Sequence, residues 1–222
     1  MKKILVIAPH ADDETLGCGG TILKHNHQGD QCNWLIMTKM SNSTGYSKKQ
    51  IQKRELEIIK VRKLLSFKNV INFNFETSKL DTIPLSILVK SISEVIKKIK
   101  PNILYIPCST DIHSDHRITS NAVIASSKSF RHNYIKSIRE YEVLSETDYS
   151  LETSTNRFNP NLWIDISKFL NKKIQVIKTY SGEIQKFPKP RSIKNIKALA
   201  INRGCSISCA AAESFRILKQ ID

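Results

Sequence analysis

Long apolar runs are missing from this chain of 222 residues. None approaches the roughly 18–20 residues that a membrane-spanning helix needs. The first apolar stretch meets His10, Asp12 and Asp13 too early for an export signal. We therefore expect a cytoplasmic protein with no transmembrane segment. Apolar residues still make up 40% of the sequence, which predicts a packed core and one domain spanning residues 1–222.

Cysteine is also sparse, with five residues that are odd in number and scattered along the chain. This pattern excludes the dense disulfide framework of a small secreted fold and favours a reducing compartment. Cys205 and Cys209 are four residues apart, a spacing that can place them on one helical face. No second Cys/His pair lies nearby at zinc-site spacing, so we interpret them as buried thiols.

Aromatic residues make up only 7% of the chain, and none of the zinc-finger, aromatic RNA-binding or basic-zipper signatures is present. The 35 lysines and arginines nevertheless exceed the 20 acidic residues, which gives a net charge of +15. Such a charge suits nucleic acid, an anionic membrane surface or a phosphorylated substrate. Because the basic residues are dispersed rather than clustered, we interpret them as a solvated surface. A nucleic-acid-binding protein remains a distant alternative, and no nucleic-acid partner is expected.

Short apolar runs alternate with amphipathic segments along the chain. Strands are predicted at residues 3–8, 33–38, 69–75, 102–107, 137–144 and 162–166, and helices at 14–24, 48–65, 85–100, 116–130, 167–180 and 192–202. Alternating strands and helices with short connections are typical of a parallel α/β sheet with right-handed crossovers. The sequence therefore predicts a Rossmann-like, mostly parallel sheet flanked by helices.

A dense polar cluster follows the first predicted strand directly. One imidazole and three carboxylates occupy five positions, namely His10, Asp12, Asp13 and Glu14. Unpaired carboxylates this close would repel one another, whereas a bound divalent cation would remove the repulsion. An acidic helix start would explain Asp13 and Glu14 through the helix dipole, but it does not explain His10.

A second polar cluster follows the predicted strand at 102–107. It contains two histidines and two carboxylates, namely Asp111, His113, Asp115 and His116. Ligands of open parallel sheets bind at the carboxyl ends of the strands, where both clusters fall. We therefore expect the two clusters to meet in a shared metal site.

The same residues carry a resemblance to a known family. The motifs PHADDE (9–14), LGCGGT (16–21) and HSDH (113–116) resemble those of the PIG-L/LmbE family of zinc-dependent de-N-acetylases. Weaker similarities are R-x-x-E at 54–57, the Tyr141–Glu142 pair and A-E-x-F at 212–215. The chain departs from the family at Ala11, where proline is common, and at Val61 and Ser66, where alanine and glycine are frequent.

The resemblance implies a role for each residue that matches the two principal motifs. It implies a Zn²⁺ ion held by His10, Asp13 and His116, a set that would also accept Fe²⁺ or Co²⁺. It implies that Asp12 is the general base, that His113 stabilises the oxyanion and that Asp115 holds a histidine in its orientation.

Three further residues are weaker candidates for substrate binding. They are Arg54, which the resemblance suggests could bind a hydroxyl or a phosphate, Asp81 after the third strand, and Arg117 beside the second cluster. The glycines of the LGCGGT motif lack the full dinucleotide-binding fingerprint. We interpret them as allowing the first helix to pack closely beneath the metal loop.

The resemblance implies a hydrolase that removes the acetyl group from an N-acetylated amino sugar of the glucosamine type. The expected substrate is a small molecule or a glycoconjugate precursor, and a homo-oligomer is compatible with the sequence. A second hypothesis with the same chemistry is an amidase that cleaves a larger acyl group. The sequence leaves these two open, because they differ only in the pocket beyond the metal.

Overall fold

The computed structural model describes residues 1–150 and 157–222. Its helices and strands, in chain order, are β1 Lys3–Ala8, α1 Asp13–His27, β2 Gln31–Lys39, α2 Lys48–Leu64, β3 Asn69–Glu76, α3 Leu85–Ile99, β4 Ile103–Pro107, α4 Ser114–Ser126, β5 Ser137–Tyr141, β6 Leu162–Asp165, α5 Leu170–Ile177, α6 Ile193–Cys205 and β7 Ala212–Gln220. Among these described residues, no helix combines the length and the apolar character that crossing a bilayer requires.

All seven strands form one sheet in the order β3-β2-β1-β4-β5-β7-β6. The five strands from β3 to β5 are parallel, whereas β7 runs antiparallel to both β5 and β6. The predicted fold class, a mostly parallel sheet flanked by helices, is confirmed. The last strand is a difference, because the sequence predicts no strand after residue 202. Charged residues such as Glu213 and Arg216 obscure the apolar pattern of β7.

Helices cover both faces of the sheet and bury two apolar layers. β1 contributes to both, since Ile4 and Val6 lie in the layer beneath α1 and α2, and Leu5 and Ile7 lie in the layer beneath α3 and α4. This placement explains why β1 is a continuous apolar run rather than an alternating one. The loops that follow the carboxyl ends of the strands therefore lie between two layers of helices.

The glycines of α1 permit close contact between this helix and its neighbours. A Cβ atom on Gly17 would lie 2.3 Å from the ring of Tyr141, and one on Gly20 would lie 2.7 Å from Ile166. Such distances are far inside van der Waals contact, so neither position accepts a side chain without displacement. This packing supports the interpretation of the LGCGGT motif as a close-packing device.

The two terminal cysteines differ from the sequence-based interpretation. Cys205 is the last residue of α6 and is exposed, whereas Cys209 lies beyond the helix and is half-buried. The prediction of two buried thiols on one helical face is therefore wrong. The helix ends between them because the backbone turns at Gly204, whose carbonyl accepts hydrogen bonds from the N–H groups of Ile207 and Cys209.

Candidate metal centre and active site

The two polar clusters meet at the carboxyl end of the sheet, as the sequence predicted. β1 and β4 are adjacent parallel strands, so the loops that follow them lie side by side. The ligand atoms of His10, Asp13 and His116 all lie within 4.8 Å of one another. Asp13 and His116 lie in the first turns of α1 and α4, and both side chains are fully buried.

Asp13 stands between the two histidines. Its Oδ2 lies 3.3 Å from His10 Nδ1 and 3.3 Å from His116 Nε2. Asp13 Oδ1 and His116 Nε2 are buried and have no hydrogen-bond partner among the described residues. Buried polar atoms are rarely left without a partner, and two imidazoles with one carboxylate are a common donor set for a catalytic divalent metal ion. The residues present therefore fit such an ion.

A carboxylate orients each histidine from behind. Asp115 Oδ2 lies 3.0 Å from His10 Nε2, and Asp111 Oδ2 lies 2.8 Å from His116 Nδ1. These contacts place a proton on the nitrogen facing the carboxylate and leave His10 Nδ1 and His116 Nε2 available to a metal ion. Asp115 thus contacts His10, and Asp111 serves His116. No separate role was predicted for Asp111, although it belongs to the second cluster.

Asp115 also joins the metal centre to the loop after β3. Its carboxylate accepts hydrogen bonds from the backbone N–H groups of Ser78, at 2.7 Å, and Leu80, at 3.1 Å. Ser78 lines the cleft described below. One buried carboxylate therefore positions both a candidate metal ligand and part of the cleft wall.

Without a metal ion, burial and the neighbouring carboxylates have opposite effects on the pKa values of His10 and His116. Burial opposes protonation of His10, but hydrogen bonds to Asp115 and Asp13 outweigh it and raise the pKa of His10 to about 9. Burial likewise opposes protonation of His116, and the carboxylates of Asp13 and Asp111 raise its pKa to about 10. A divalent cation would replace these protons in the same negative surroundings.

Asp12 lies at the base of the cleft, with its backbone at φ 157° and ψ −28° and its side chain buried. Its Oδ2 accepts a hydrogen bond of 2.8 Å from Arg191 Nη1. Burial raises the pKa of Asp12 above its usual value, and the Arg191 charge opposes that increase. A non-glycine residue in this region of φ and ψ is strained, and such strain is concentrated at functional sites.

Arg191 is a site residue that the sequence analysis missed. Besides Asp12, it contacts Glu183 at 3.2 Å and Glu146 at 3.2 Å, and its Nε donates a hydrogen bond to Ser145 Oγ. The residue lies between α5 and α6, far along the chain from both motifs, and no motif surrounds it. Only the folding of this connection over the cleft reveals its position.

Arg54 lines the cleft, as expected of a substrate residue, but protein groups occupy its guanidinium. It is bonded to Glu57, to Glu183 and to the carbonyl oxygen of Ala11, and it lies over the ring of Tyr180. Arg54 therefore stabilises the metal loop and the connection between α5 and α6. Its role toward a substrate stays a prediction.

His113 is the N-cap residue of α4, and its protonation follows from that position. Its Nδ1 accepts a hydrogen bond of 3.1 Å from the backbone N–H of Asp115, so the ring proton resides on Nε2. Burial, followed by the nearby charges of His10 and His116, lowers the pKa of His113 to about 4. The side chain is thus a neutral imidazole that can donate a hydrogen bond from Nε2 into the cleft.

A cleft with a volume of about 250 Å³ opens over these residues. Its lining includes His10, Asp12, Arg54, His113 and Arg191, together with residues of β2, α2 and β3.

The structure does not bring the other two substrate candidates to this cleft. Asp81 lines a separate cavity beside Leu80 and Ile118. Arg117 donates hydrogen bonds to the carbonyl oxygens of Asp111 and Ile112. A substrate role for Asp81 or Arg117 stays a prediction without a contact in the cleft.

Comparison with family models places this site in a known group. The PIG-L model, described as GlcNAc-PI de-N-acetylase, matches residues 5–127, which include both metal-site clusters. The chain belongs to the PIG-L family. The PIG-L match ends before β5, so Glu183 and Arg191 contribute to the site from outside the matched residues.

Two relatives show how far the similarity extends. A diacetylchitobiose deacetylase of Thermococcus kodakarensis is 25% identical over 196 residues, covering 82% of this chain and 70% of that protein. The structure of N,N′-diacetylchitobiose deacetylase from Pyrococcus horikoshii superposes with a TM-score of 0.76 and 23% identity, covering 98% of this chain and 84% of that one.

A second solved structure shows that this fold also occurs in an enzyme with another reaction. GalB, the 4-carboxy-2-hydroxymuconate hydratase of Pseudomonas putida, superposes with a TM-score of 0.76 at 15% identity over 100% of this chain and 98% of that one. The fold alone therefore does not select the reaction, and the chemistry must be argued from the site.

Proposed function

We propose that this protein is a metal-dependent hydrolase that removes the acetyl group from an N-acetylated amino sugar. The observation that carries the proposal is the pair of carboxylate–histidine contacts on either side of Asp13, together with two buried side-chain atoms, Asp13 Oδ1 and His116 Nε2, that have no hydrogen-bond partner in the described part of the chain. Membership of the PIG-L family and the similarity to a diacetylchitobiose deacetylase support the choice of an N-acetyl substrate.

His10, Asp13 and His116 would hold the metal ion. A Zn²⁺ ion, or Fe²⁺ or Co²⁺ in its place, supplies Lewis-acid chemistry, because it lowers the pKa of water and polarises a carbonyl group. The protein would hold the two histidine ligands in place before the ion binds, since Asp111 and Asp115 contact their imidazole rings. Such fixed ligands reduce the reorganisation that metal binding requires.

Asp12 is the proposed general base. Its carboxylate borders the cleft beside His10, where it can accept a proton from the water that attacks the acetyl carbon. As the C–N bond breaks, the same group can return that proton to the departing amine nitrogen. Arg191 holds the carboxylate from one side through the contact with Oδ2 and favours its ionised form.

His113 is the proposed oxyanion donor. The carbonyl oxygen gains negative charge as water adds to the acetyl carbon, and the Nε2–H group of His113 can donate a hydrogen bond to it. The helix cap fixes the proton on Nε2, so this donor needs no rearrangement during the reaction. Donors aligned in advance toward developing charge are among the largest contributions to catalysis.

An amidase for a larger acyl group is the second candidate. Apolar side chains line part of the cleft, among them Ile36, Ile51 and Ile58, and they would accept a longer acyl chain. The arginines near Asp12 do not offer a binding site to the phosphates of a nucleic acid, because both are paired with carboxylates.

The proposal is tested by metal content and by acetate release. We expect about one divalent ion per chain in the purified protein and less than about a tenth of that in His116→Ala, because this variant loses a ligand. His27→Ala is the matched control, since His27 is exposed on α1. Metal-loaded protein should release acetate from N-acetylglucosamine compounds faster than butyrate from N-butyryl analogues. Full metal content in His116→Ala, or the reverse acyl preference, would contradict the respective part of the proposal.

A further inference from the structure

The side of the cleft formed by β3 and by the chain before α2 carries uncharged polar side chains, whereas the metal centre carries charged ones. We call it the outer wall and define it by Tyr46, Asn72 and Asn74, which line the cleft. Across residues 1–150 and 157–222, neither amide side chain nor the tyrosine hydroxyl has a hydrogen-bond partner within the protein. The outer wall therefore offers unpaired neutral donors and acceptors to whatever enters the cleft.

The strand β3 presents these amides because of its position and its register. β3 is an edge strand, and its side chains Ile71, Phe73 and Phe75 pack into the apolar layer on the opposite face. Asn72 and Asn74 consequently face the side of the sheet that α2 covers. Asn74 has φ 59°, at an irregularity in the pairing with β2, and such bulges commonly redirect side chains beside functional sites.

The two arginines of the cleft are not free to bind an anion. Among the lining residues are four carboxylates, on Asp12, Glu55, Glu146 and Glu183, and three cations, on Lys39, Arg54 and Arg191. Both arginines form ion pairs with buried or half-buried carboxylates. In the described part of the chain, Lys39 is the only lining cation without an ion pair, and it is exposed. A free guanidinium binds phosphate through two parallel hydrogen bonds, and here protein carboxylates occupy both guanidinium groups.

We propose that the outer wall binds a neutral, hydroxyl-bearing sugar unit attached to the N-acetylated amino sugar, and selects it over a phosphate-bearing group. The inference rests on the proposed function for the position of the amino sugar at the metal centre. A carboxamide both donates and accepts, so Asn72 and Asn74 can pair with hydroxyl groups of either polarity. The ring of Tyr46 adds an apolar face with a polar end. The +15 net charge then belongs to the solvated surface and not to this cleft.

Binding to the metal-loaded Asp12→Asn protein, measured by calorimetry, tests this selection independently of turnover. The three probes are N,N′-diacetylchitobiose, N-acetylglucosamine and N-acetylglucosamine 1-phosphate. We expect the neutral disaccharide to bind at least about tenfold more tightly than either monosaccharide, because two or more hydrogen bonds of ordinary strength are added. The preference over the phosphate should persist at low salt, where any attraction to a cation would be strongest.

A paired substitution tests the residues themselves. Asn72→Ala with Asn74→Gly should weaken disaccharide binding about tenfold and reduce its advantage over N-acetylglucosamine, and glycine tolerates the positive φ at position 74. Asn69→Ala is the matched control, since it lies on the same strand at the end remote from the cleft. If the paired variant does not fold, the comparison of the three probes on the unaltered outer wall decides the question.

The two proposals can fail separately. Equal affinity for disaccharide and N-acetylglucosamine, tighter binding of the phosphate, or no binding of any probe would each overturn the proposed sugar site. Acetate released from all three compounds without a disaccharide preference would overturn the sugar site as well, but it would still support the proposed deacetylase activity. Selective binding of the disaccharide without any acetate release from the unsubstituted protein would support the sugar site and contradict the deacetylase.

Discussion

The two sides of the cleft differ in the charge, burial and pairing of their polar side chains. At the metal centre, charged side chains are buried and contact one another, as in the contacts of Asp115 with His10 and of Asp12 with Arg191. On the outer wall, the side chains of Asn72 and Asn74 are neutral and exposed, and in residues 1–150 and 157–222 they have no hydrogen-bond partner. Groups that are held by protein contacts can act without rearrangement, whereas free groups are available for recognition.

This comparison predicts different kinetic consequences for substitutions on the two sides. Changes at the metal centre should lower kcat or metal content, because they disturb groups that act in the reaction. Changes on the outer wall should alter binding and selectivity, because those groups contact only the remainder of the substrate. A metal-centre variant that changed only KM would contradict this expected difference between the two sides.

The largest expected effect separates Asp12 from its neighbour Asp13. Asp12→Asn should keep its metal ion and lose kcat by ~10²–10⁴, the usual contribution of general-base catalysis. Asp13→Ala should instead lose the metal ion, since it removes the ligand between the two histidines. Elemental analysis and acetate release on both variants provide the measurement. Near-normal turnover in Asp12→Asn would exclude its role as the base.

A smaller effect is expected from Arg191, which acts through Asp12. Arg191→Gln should lower kcat by about tenfold to a hundredfold with little change in KM or metal content, because a misplaced catalytic group reacts slowly. Arg191→Lys should restore part of the rate by restoring the charge. Arg203→Gln is the control, since Arg203 pairs with Glu142 outside the main cleft. A change confined to KM would make Arg191 a substrate-binding residue instead.

The smallest expected effect concerns the stability of the metal-free protein. Because the pKa values of His10 and His116 are raised to about 9 and about 10, their protonation stabilises the folded state fully below about pH 6.5. That contribution is lost as the pH rises through 9 and 10. Chemical denaturation of chelator-treated protein should therefore show a free energy of unfolding that decreases between pH 7 and pH 10.

His116→Ala provides the control for the pH dependence, because it removes one of the two histidines while leaving the other titratable groups in place. The variant should show a weaker decrease than the unsubstituted protein, and metal-loaded protein should also show a weaker one because the ion replaces the protons. The same slope in all three samples would contradict the assigned protonation of the metal centre.

Much of the fold and the inner site follows from local sequence patterns. Continuous apolar runs indicated the buried parallel strands, and the polar clusters around His10 and His116 indicated where ligands converge. These predictions succeed because the apolar run of a strand and the polar loop after it are both local features of the sequence. β7 escaped prediction because its exposed half carries charged and polar residues, and its place between β5 and β6 depends on strands distant in sequence.

The sequence by itself determined the donor types and the edge of the sheet where they gather. Only the tertiary structure decided which carboxylate orients which histidine, because Asp115 reaches His10 across 105 positions of the chain and leaves Asp111 to contact His116. It also decided that Arg191 contacts Asp12, across 179 positions, and that the side chains of Asn72 and Asn74 have no hydrogen-bond partner among the described residues. Pairing of polar side chains depends on ångström-scale distances between separate elements, and packing of the whole chain sets those distances.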